Sequence, residues 1–225
     1  VAFSLFTSPP SRSSRDKPPF TASFRINLPP PAARCYKARR MASELTLGFL
    51  GAGRMATALA RGFIAAKLTS ARSIVASDVM EAARTAFVAE TGIKPMPSSL
   101  AVCKAAHILL IAVKPDQVAS VLTEIRGHVT AKHLLISIAA GVPLARLEAG
   151  LAPGTRVIRV MPNTPALVGA SASAFATGTH ATPADAALVQ KLFTAVGVAL
   201  QVKESLLDAL TGLSGSGPAY AYQII

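Results

Sequence analysis

The chain has 225 residues, of which 51% are hydrophobic and 15% are charged, so it can bury a substantial core. No run of 18 or more apolar residues occurs, and a membrane-spanning helix is therefore not expected. Tryptophan is absent and aromatic residues make up 5%, which disfavours a stacking surface for single-stranded nucleic acid. We therefore expect neither a membrane nor a nucleic acid as a partner.

Much of the net charge of +12 lies at the amino terminus. Residues 1–40 contain eight basic residues and one acidic residue, and they are rich in Ser and Pro without a helical period. This composition is typical of an organelle transit peptide, which predicts a plastid or mitochondrial location. A second interpretation is translated upstream sequence, which predicts a cytoplasmic protein starting at Met41. Under both interpretations, residues 1–42 form a disordered leader outside the fold.

The two cysteines, Cys35 and Cys103, are far apart in the chain. Neither belongs to a Cys-x-x-Cys pair or to a Cys/His spacing typical of zinc sites. The four histidines also lack the partner spacing of metal ligands. We therefore expect no metal site.

From Leu45 onward, short apolar runs alternate with helical stretches. The predicted strands are Leu45–Leu50, Ser73–Ser77, Ile108–Val113, Leu134–Ile138, Val157–Met161, Ser173–Ala176 and Val198–Val202. The predicted helices are Met55–Lys67, Glu81–Thr91, Leu100–Ala105, Asp116–His128, Leu144–Gly150, Pro183–Val196 and Glu204–Gly212. This alternation predicts an α/β fold, a doubly wound and mostly parallel Rossmann-type sheet, over residues 43–203. Residues 204–225 are expected to begin an all-helical C-terminal domain that is truncated, because the helical pattern is interrupted at Ile225.

The segment Gly51-Ala52-Gly53-Arg54-Met55-Ala56 is a G-x-G-x-x-A loop between a predicted strand and a predicted helix. The first glycine permits a tight turn, the second lets the backbone approach a pyrophosphate, and the alanine allows close packing of helix and strand. The N-terminus of the helix offers free N–H groups to phosphates. In this context the loop predicts a dinucleotide site.

The second predicted strand ends at Ser77 and Asp78, where the adenosine ribose is expected. An acid at this position favours NAD, because it accepts from the ribose 2′-OH, whereas a hydroxyl or a cation favours NADP. Asp78 has the alternative role of capping the next helix. Arg84 is close enough in sequence to reach back, but nothing in the sequence requires it. The sequence leaves the choice between NADP and NAD open.

Two further segments end predicted strands at the same edge. Ala112-Val113-Lys114-Pro115 places a cation where it can neutralise a phosphate or a substrate carboxylate; alternatively, Lys114 is a surface residue at a helix start. Ile138-Ala139-Ala140 has small residues that leave room for a nicotinamide ring, and core packing would explain them equally well.

Three longer stretches carry a resemblance: Arg156–Pro165, Ala176–His180 and Thr211–Tyr220. Together with the glycine loop and Val113-Lys114-Pro115, they make the chain resemble the Δ1-pyrroline-5-carboxylate reductase family from about Leu45 to Tyr222. The resemblance implies a dinucleotide-binding domain followed by a helical domain that forms a homodimer in the full-length form. It implies an enzyme that reduces 1-pyrroline-5-carboxylate to L-proline, usually with NADPH and sometimes with NADH.

The resemblance also implies roles for single positions. The pyrophosphate would lie on the backbone of Leu50, Gly51, Ala52, Gly53, Arg54 and Met55. The ribose and nicotinamide would be flanked by Ser77, Asp78, Ser99, Ala112, Val113, Lys114, Pro115, Ile138, Ala139 and Ala140. Asn163 and Thr164 would line the catalytic, nicotinamide side of the cleft. From the residue type alone, Asn163 suits either orientation of the carboxamide or an Asx-turn that holds its own loop.

Two alternatives stay open. A β-hydroxyacid dehydrogenase shares the loop type and resembles G-x-x-G-x-G-x-x-x-K at the start of its second domain. Gly212, Gly215 and Gly217 match that spacing, but Ala221 stands at the lysine position, and a ketone reduction needs such a proton carrier. The other alternative is a truncated, non-catalytic NAD(P)-binding fragment.

We expect residues 1–40 to be dispensable for folding, because the composition of this segment gives it little apolar surface to bury. A chain starting at Met41 should therefore melt at the same temperature as the whole chain in calorimetry. A lower melting temperature in the shortened chain would contradict this.

Overall fold

The structure is a computed structural model that describes residues 45–224. The predicted leader, residues 1–42, lies outside the described residues. No helix within 45–224 has both the length and the apolar composition needed to cross a membrane.

Seven strands and eight α-helical segments follow one another along the described chain. The strands are β1 Leu47–Leu50, β2 Ile74–Ser77, β3 Ile108–Ile111, β4 Leu134–Ser137, β5 Arg156–Met161, β6 Ser171–Thr177 and β7 Gly197–Gln201. The α-helices are α1 Arg54–Ala65, α2 Glu81–Thr91, α3 Ser99–Ala105, α4 Val118–Ile125, α5 Leu144–Ala149, α6 Pro183–Thr194, α7 Leu207–Leu210 and α8 Gly217–Ile224. Short 3-10 turns cover Ala71–Ser73, Pro115–Gln117, Thr164–Val168 and Glu204–Leu206.

The strands form one sheet in the order β2-β1-β3-β4-β5-β6-β7. The first five strands are parallel, β6 runs antiparallel to β5, and β7 is parallel to β6. The reversal at β6 follows from its connection to β5, which consists of one 3-10 turn and is too short for a crossover helix. The predicted fold class, a mostly parallel Rossmann-type sheet, is confirmed.

Each face of the sheet is covered by its own set of helices. One buried cluster joins Phe49 and Leu110 to α1, α2 and α6, where Phe63 and Phe193 meet edge to face at 6.1 Å. The other joins Leu109 and its neighbours to α3, α4 and α5. Full burial of each such side chain contributes about 2 kcal/mol, so both layers hold the carboxyl edge of the sheet in place.

Strand β6 is longer than the predicted Ser173–Ala176 and begins at Ser171. Two serines inside a buried strand weaken the apolar signal in the sequence. In the structure the hydroxyls of Ser171 and Ser173 bond to each other at 2.9 Å, which removes the cost of burying them.

The sequence alone predicts a solvated side chain for Arg156, and the structure shows that this prediction is wrong. Its side chain is half-buried, and its guanidinium donates to the carboxylate of Asp185 at 2.6 Å and to the carbonyl of Lys132 at 3.0 Å. Asp185 itself is buried because it completes a capping box with Thr182 at the start of α6. The partner of Arg156 is therefore supplied by a helix start that lies 29 residues further along the chain.

The segment after β7 differs from the predicted helix Glu204–Gly212. A 3-10 turn leads into α7, and a π-helical turn, Thr211–Ser216, joins α7 to α8. The hydroxyls of Thr211 and Ser214 each donate to the carbonyl four residues earlier, at 2.7 and 2.9 Å. Such bonds compete with the regular helical pattern, and the glycines of this segment tolerate the wider turn.

Candidate cofactor site

A cleft of about 510 Å³ lies at the carboxyl ends of β1, β2 and β3. Ligands of doubly wound sheets bind at this edge. The cleft is lined by Gly51, Ser77, Asp78, Val79, Arg84, Pro97, Ser98, Ser99, Val113, Gln117, Ser120, Val121 and Glu124. It therefore brings together five of the site residues predicted from the sequence: Gly51, Ser77, Asp78, Ser99 and Val113.

Gly51 is required by the fold itself. Its φ of +105° is accessible to few residues other than glycine, and a Cβ there would lie 2.7 Å from the backbone carbonyl of Ala112. Its N–H donates to the carbonyl of Ser77 at 2.8 Å, and the N–H of Ala112 donates to the carbonyl of Leu50 at 2.8 Å. The loop is thus fastened to the ends of both neighbouring strands.

Gly53 is not required by the fold. Its backbone angles, φ −76° and ψ −175°, suit any residue, and a Cβ placed on it would meet nothing within 4 Å. The helix that follows, α1, has no side-chain cap at its N-terminus and no acidic residue in its first turn. This arrangement leaves a bare, positively polarised helix start beside open space, which suits an anionic group such as a pyrophosphate.

Asp78 is held by two bonds within the chain. One carboxylate oxygen accepts from the N–H of Ala52 in the glycine loop, and the other accepts from the N–H of Met80, both at 2.8 Å. The second bond closes an Asx-turn before α2, whose N-cap is Met80 and which has no side-chain cap, so Asp78 does not cap this helix. Both oxygens are therefore engaged by the protein, and the carboxylate ties the end of β2 to the glycine loop.

Arg84 turns back from α2 onto the same loop. Its Nη1 donates to the carbonyls of Asp78 at 2.7 Å and Val79 at 3.1 Å, which fixes the guanidinium at the wall of the cleft. The sequence left the direction of this side chain open. Arg84 is the cation among the cleft-lining residues.

Serine hydroxyls also line the cleft. Ser98 caps α3, since its hydroxyl accepts from the N–H of Ala101 at 3.2 Å. Within the part of the chain that the structure describes, the hydroxyls of Ser77 and Ser99 have no hydrogen-bond partner, so they remain free to bond a ligand. The hydroxyl of Ser120, which also lines the cleft, is likewise unbonded among residues 45–224, so the cleft offers one fixed guanidinium and three free hydroxyls.

Sequence reasoning missed the wall formed by α4 and the turn before it. Gln117, Ser120 and Glu124 line the cleft there, and the carboxylate of Glu124 accepts from the N–H of Leu100 at 3.2 Å. Their spacing of three and four residues places them on one helical face, and this period was the signal available in the sequence.

The segments expected to flank the nicotinamide follow β3 and β4 at the same edge of the sheet. The N–H of Ile138 donates to the carbonyl of Ile111 at 3.0 Å, which places the residues after β4 beside those after β3. Ala139 is buried and Ala140 is exposed. Lys114 is exposed and stands at the start of the turn that begins with Pro115. These residues lie outside the lining of the 510 Å³ cleft, apart from Val113.

Asn163 is buried, and its amide joins three segments. The oxygen accepts from the Ser171 hydroxyl at 3.1 Å and from the N–H of Ala172 at 2.9 Å, while the amide nitrogen donates to the carbonyl of Ser214 at 3.1 Å. These bonds leave its own loop, so the side chain does not form the Asx-turn considered above. Thr164 is exposed at the start of the 3-10 turn after Asn163.

Neither a metal centre nor a reactive thiol is present in the site. Among residues 45–224 no group of three His, Cys, Asp or Glu side chains is placed to hold a metal ion. Burial raises the pKa of the Cys103 thiol, and this residue does not line the cleft.

Comparison with known proteins agrees with this geometry. Residues 46–141 match the family model described as NADP oxidoreductase, coenzyme F420-dependent. The chain is 46% identical over 179 residues to a pyrroline-5-carboxylate reductase of Methanosarcina acetivorans, covering 80% of this chain and 66% of the relative. It is 42% identical over 185 residues to human pyrroline-5-carboxylate reductase 2, covering 80% of this chain and 58% of the relative.

A solved structure gives the same result. The Plasmodium falciparum pyrroline carboxylate reductase with NADP bound superposes with a TM-score of 0.72 at 31% identity, covering 80% of this chain and 66% of the other. The fold is that of the Rossmann-type oxidoreductases. The chain belongs to the pyrroline-5-carboxylate reductase family. It spans 58% to 66% of the length of these curated relatives.

We predict that Gly53→Val weakens dinucleotide binding by more than about tenfold, because the added side chain would occupy the space of the pyrophosphate. The fold should stay intact, since a Cβ at this position meets nothing. Binding is measured by titration calorimetry and folding by thermal melting.

Gly127→Val is the matched control, because a Cβ there also meets nothing within 4 Å and the residue does not line the cleft. It should bind the dinucleotide as the unaltered chain does. Unchanged affinity in a folded Gly53→Val variant would remove the assignment of this loop.

Proposed function

We propose that the whole protein is a pyrroline-5-carboxylate reductase, which transfers a hydride from NAD(P)H to 1-pyrroline-5-carboxylate and yields L-proline, the last step of proline biosynthesis. The observation that carries the proposal is the 46% identity to a reductase of this name, which includes the glycine loop and extends over 80% of the chain. The described residues would supply the cofactor half of the site.

The pyrophosphate would rest on the backbone of Leu50–Met55. Support comes from Gly53, because the fold itself would accept a side chain at this position, and from the uncapped start of α1. A negatively charged group there would be stabilised by the helix N-terminus. The residues present therefore fit a dinucleotide.

We propose NADPH as the preferred cofactor, with NADH as the alternative. A ribose 2′-OH is usually held by a free acid, but both oxygens of Asp78 are already engaged by backbone N–H groups. Arg84, Ser77 and Ser99 provide instead a cation and hydroxyl donors that suit a 2′-phosphate. The Plasmodium relative, which was solved with NADP bound, lends further support.

The nicotinamide end would be flanked by small residues that follow two strands. These residues are Ala112, Val113, Lys114 and Pro115 after β3, and Ile138, Ala139 and Ala140 after β4. Lys114 is exposed with no ion pair among residues 45–224, so its ammonium is available to a phosphate or to the substrate carboxylate.

The reaction requires mainly that the substrate and the hydride donor are held in the right positions. When bound, the cofactor supplies the hydride. The iminium carbon of the substrate is already electrophilic, so the protein has to hold it at the right distance and to hydrogen-bond its carboxylate and nitrogen. We propose that Asn163 shapes this end of the cleft through its three bonds to the protein, and that the exposed hydroxyl of Thr164 faces the reacting groups.

We propose a division into a dinucleotide-binding domain at residues 43–203 and the start of a helical domain at residues 204–225. It is supported by the change from sheet to helix after β7, which ends at Gln201. The partners would be the small-molecule substrate and, in the full-length form, a second copy of the chain.

The function is tested by following the oxidation of NADPH and NADH with 1-pyrroline-5-carboxylate. Two proteins are compared: this chain, and a longer version that continues through the expected helical domain. Activity that depends on the substrate, in the longer protein at least, is expected. Cofactor binding without turnover in both proteins would instead favour a non-catalytic role or another substrate, such as a β-hydroxyacid.

The cofactor preference is tested with Arg84→Ala. Loss of a guanidinium–phosphate contact should weaken NADPH binding by about tenfold or more and leave NADH binding unchanged. Arg72→Ala is the matched control, because Arg72 is an exposed arginine at the opposite end of β2. Equal weakening of both cofactors by Arg84→Ala would contradict the preference for NADPH.

A further inference from the structure

Arg159 is a buried cation that does not line the cofactor cleft. It is 4% exposed and shares a face of β5 with Val157 and Met161, the face covered by α3, α4 and α5. An arginine at such a position must be paired, because an isolated buried charge is strongly unfavourable.

Its partners lie on the segment that follows the sheet. Nη1 donates to the carboxylate of Glu204 and Nη2 to that of Asp208, each at 3.1 Å. The side chain of Glu204 is 33% exposed and that of Asp208 is 82% exposed. Water screens the second pair, so Glu204 is the partner that matters.

Glu204 makes a second contact at the carboxyl edge of the sheet. The same carboxylate oxygen that faces Arg159 also accepts from the N–H of Leu144 at 2.7 Å. Leu144 is the first residue of α5. It follows the loop that begins at Ile138, after the end of β4. One carboxylate therefore joins β5, the start of α5 at the end of the loop after β4, and the 3-10 turn before α7.

A second contact fastens the same helical segment further along. The amide of Asn163 holds the carbonyl of Ser214 within the π-helical turn. The helical segment Leu207–Ile224 is thus attached to the sheet by an ionic contact just before its first turn and by an amide contact at its π-helical turn.

Stability does not explain why a paired arginine occupies this buried position of β5. A buried ion pair stabilises a protein no more than well-packed apolar residues of similar volume, and the neighbouring positions of β5 are filled by valine and isoleucine. What a paired arginine adds is a defined geometry, because its planar guanidinium fixes the direction of its acceptors.

We propose that Arg159 is a positioning residue: through Glu204 it sets the place of the helical segment 207–224 and of the loop after β4, and so shapes the nicotinamide end of the cofactor cleft. The inference rests on the proposed function, in which the residues after β4 flank the nicotinamide. The adenosine end is built from β2, α2 and α3, and Arg159 has no contact with it.

The test compares ligands that occupy one or both ends of the cleft. NADPH fills both, whereas adenosine 2′,5′-bisphosphate has the adenosine part alone. Arg159→Met should weaken NADPH binding by about tenfold and abolish the fluorescence change of the bound nicotinamide, while the bisphosphate binds as before. Hydrogen exchange of residues 207–224 should rise in the same variant.

Three further variants separate positioning from general stability. Arg159→Lys should restore part of the fluorescence change, since it keeps the charge. Glu204→Gln should reproduce the effect of Arg159→Met in weaker form, because its amide oxygen still accepts from Leu144. Arg156→Met is the matched control: it breaks an ion pair at the other end of the same strand, so it should lower the melting temperature without altering the nicotinamide signal.

Each outcome bears on the inference. If Arg159→Met and Arg156→Met change NADPH binding equally, or if Arg159→Met weakens NADPH and the bisphosphate alike, Arg159 has only a structural role and the proposal is overturned. If the unaltered chain binds neither ligand, the proposed function fails. In that case increased exchange of residues 207–224 in Arg159→Met alone would still support the anchoring of the helical segment, and unchanged exchange would refute it.

Discussion

The contact between Gly51 and the backbone of Ala112 is the constraint from which the rest of the site follows. The loop after β1 runs at a positive φ directly against the end of β3, and its N–H bonds the end of β2. A side chain at Gly51 would push these strand ends apart. Because they are held together, α1 starts where its N-terminus faces the cleft, and the wall formed by β2 and α2 lies within reach of a single ligand.

The charges around the cleft divide into those that the protein uses and those that remain available. The carboxylate of Asp78 accepts from the N–H groups of Ala52 and Met80. One oxygen of Glu124 accepts from the N–H of Leu100 at the start of α3. Arg84 is anchored through one nitrogen to two carbonyls, which orients the rest of its guanidinium. Because the Asp78 oxygens are engaged by backbone N–H groups and the Arg84 guanidinium is fixed in place, an anionic group of a ligand can bind at the guanidinium.

Much of the fold and part of the site could be predicted from the sequence because their signals are local. Alternating apolar runs give the strands and helices, and the glycine loop identifies itself by its spacing and its context. The bonds of Asn163 and Arg159 could not be predicted in this way. Their partners lie up to 51 and 49 residues away, and residue type at one position carries no information about which distant carbonyl or carboxylate will face it. The ion pair of Arg156 cannot be predicted for the same reason, since its partner Asp185 is 29 residues distant.

The same distinction separates the glycine-loop end of the site from the end at which we propose that the substrate binds. The glycine loop and the end of β2 are held by backbone bonds between adjacent strand ends, so their geometry is set by the sheet. The end at which we propose the nicotinamide depends on side chains that reach across elements: Asn163 to the π-helical turn, and Arg159 through Glu204 to the start of α5. Side-chain contacts of this kind can be changed one at a time without loss of the sheet. A family that shares one cofactor fold can therefore vary its substrate end independently, which is where evolution of specificity has the most freedom.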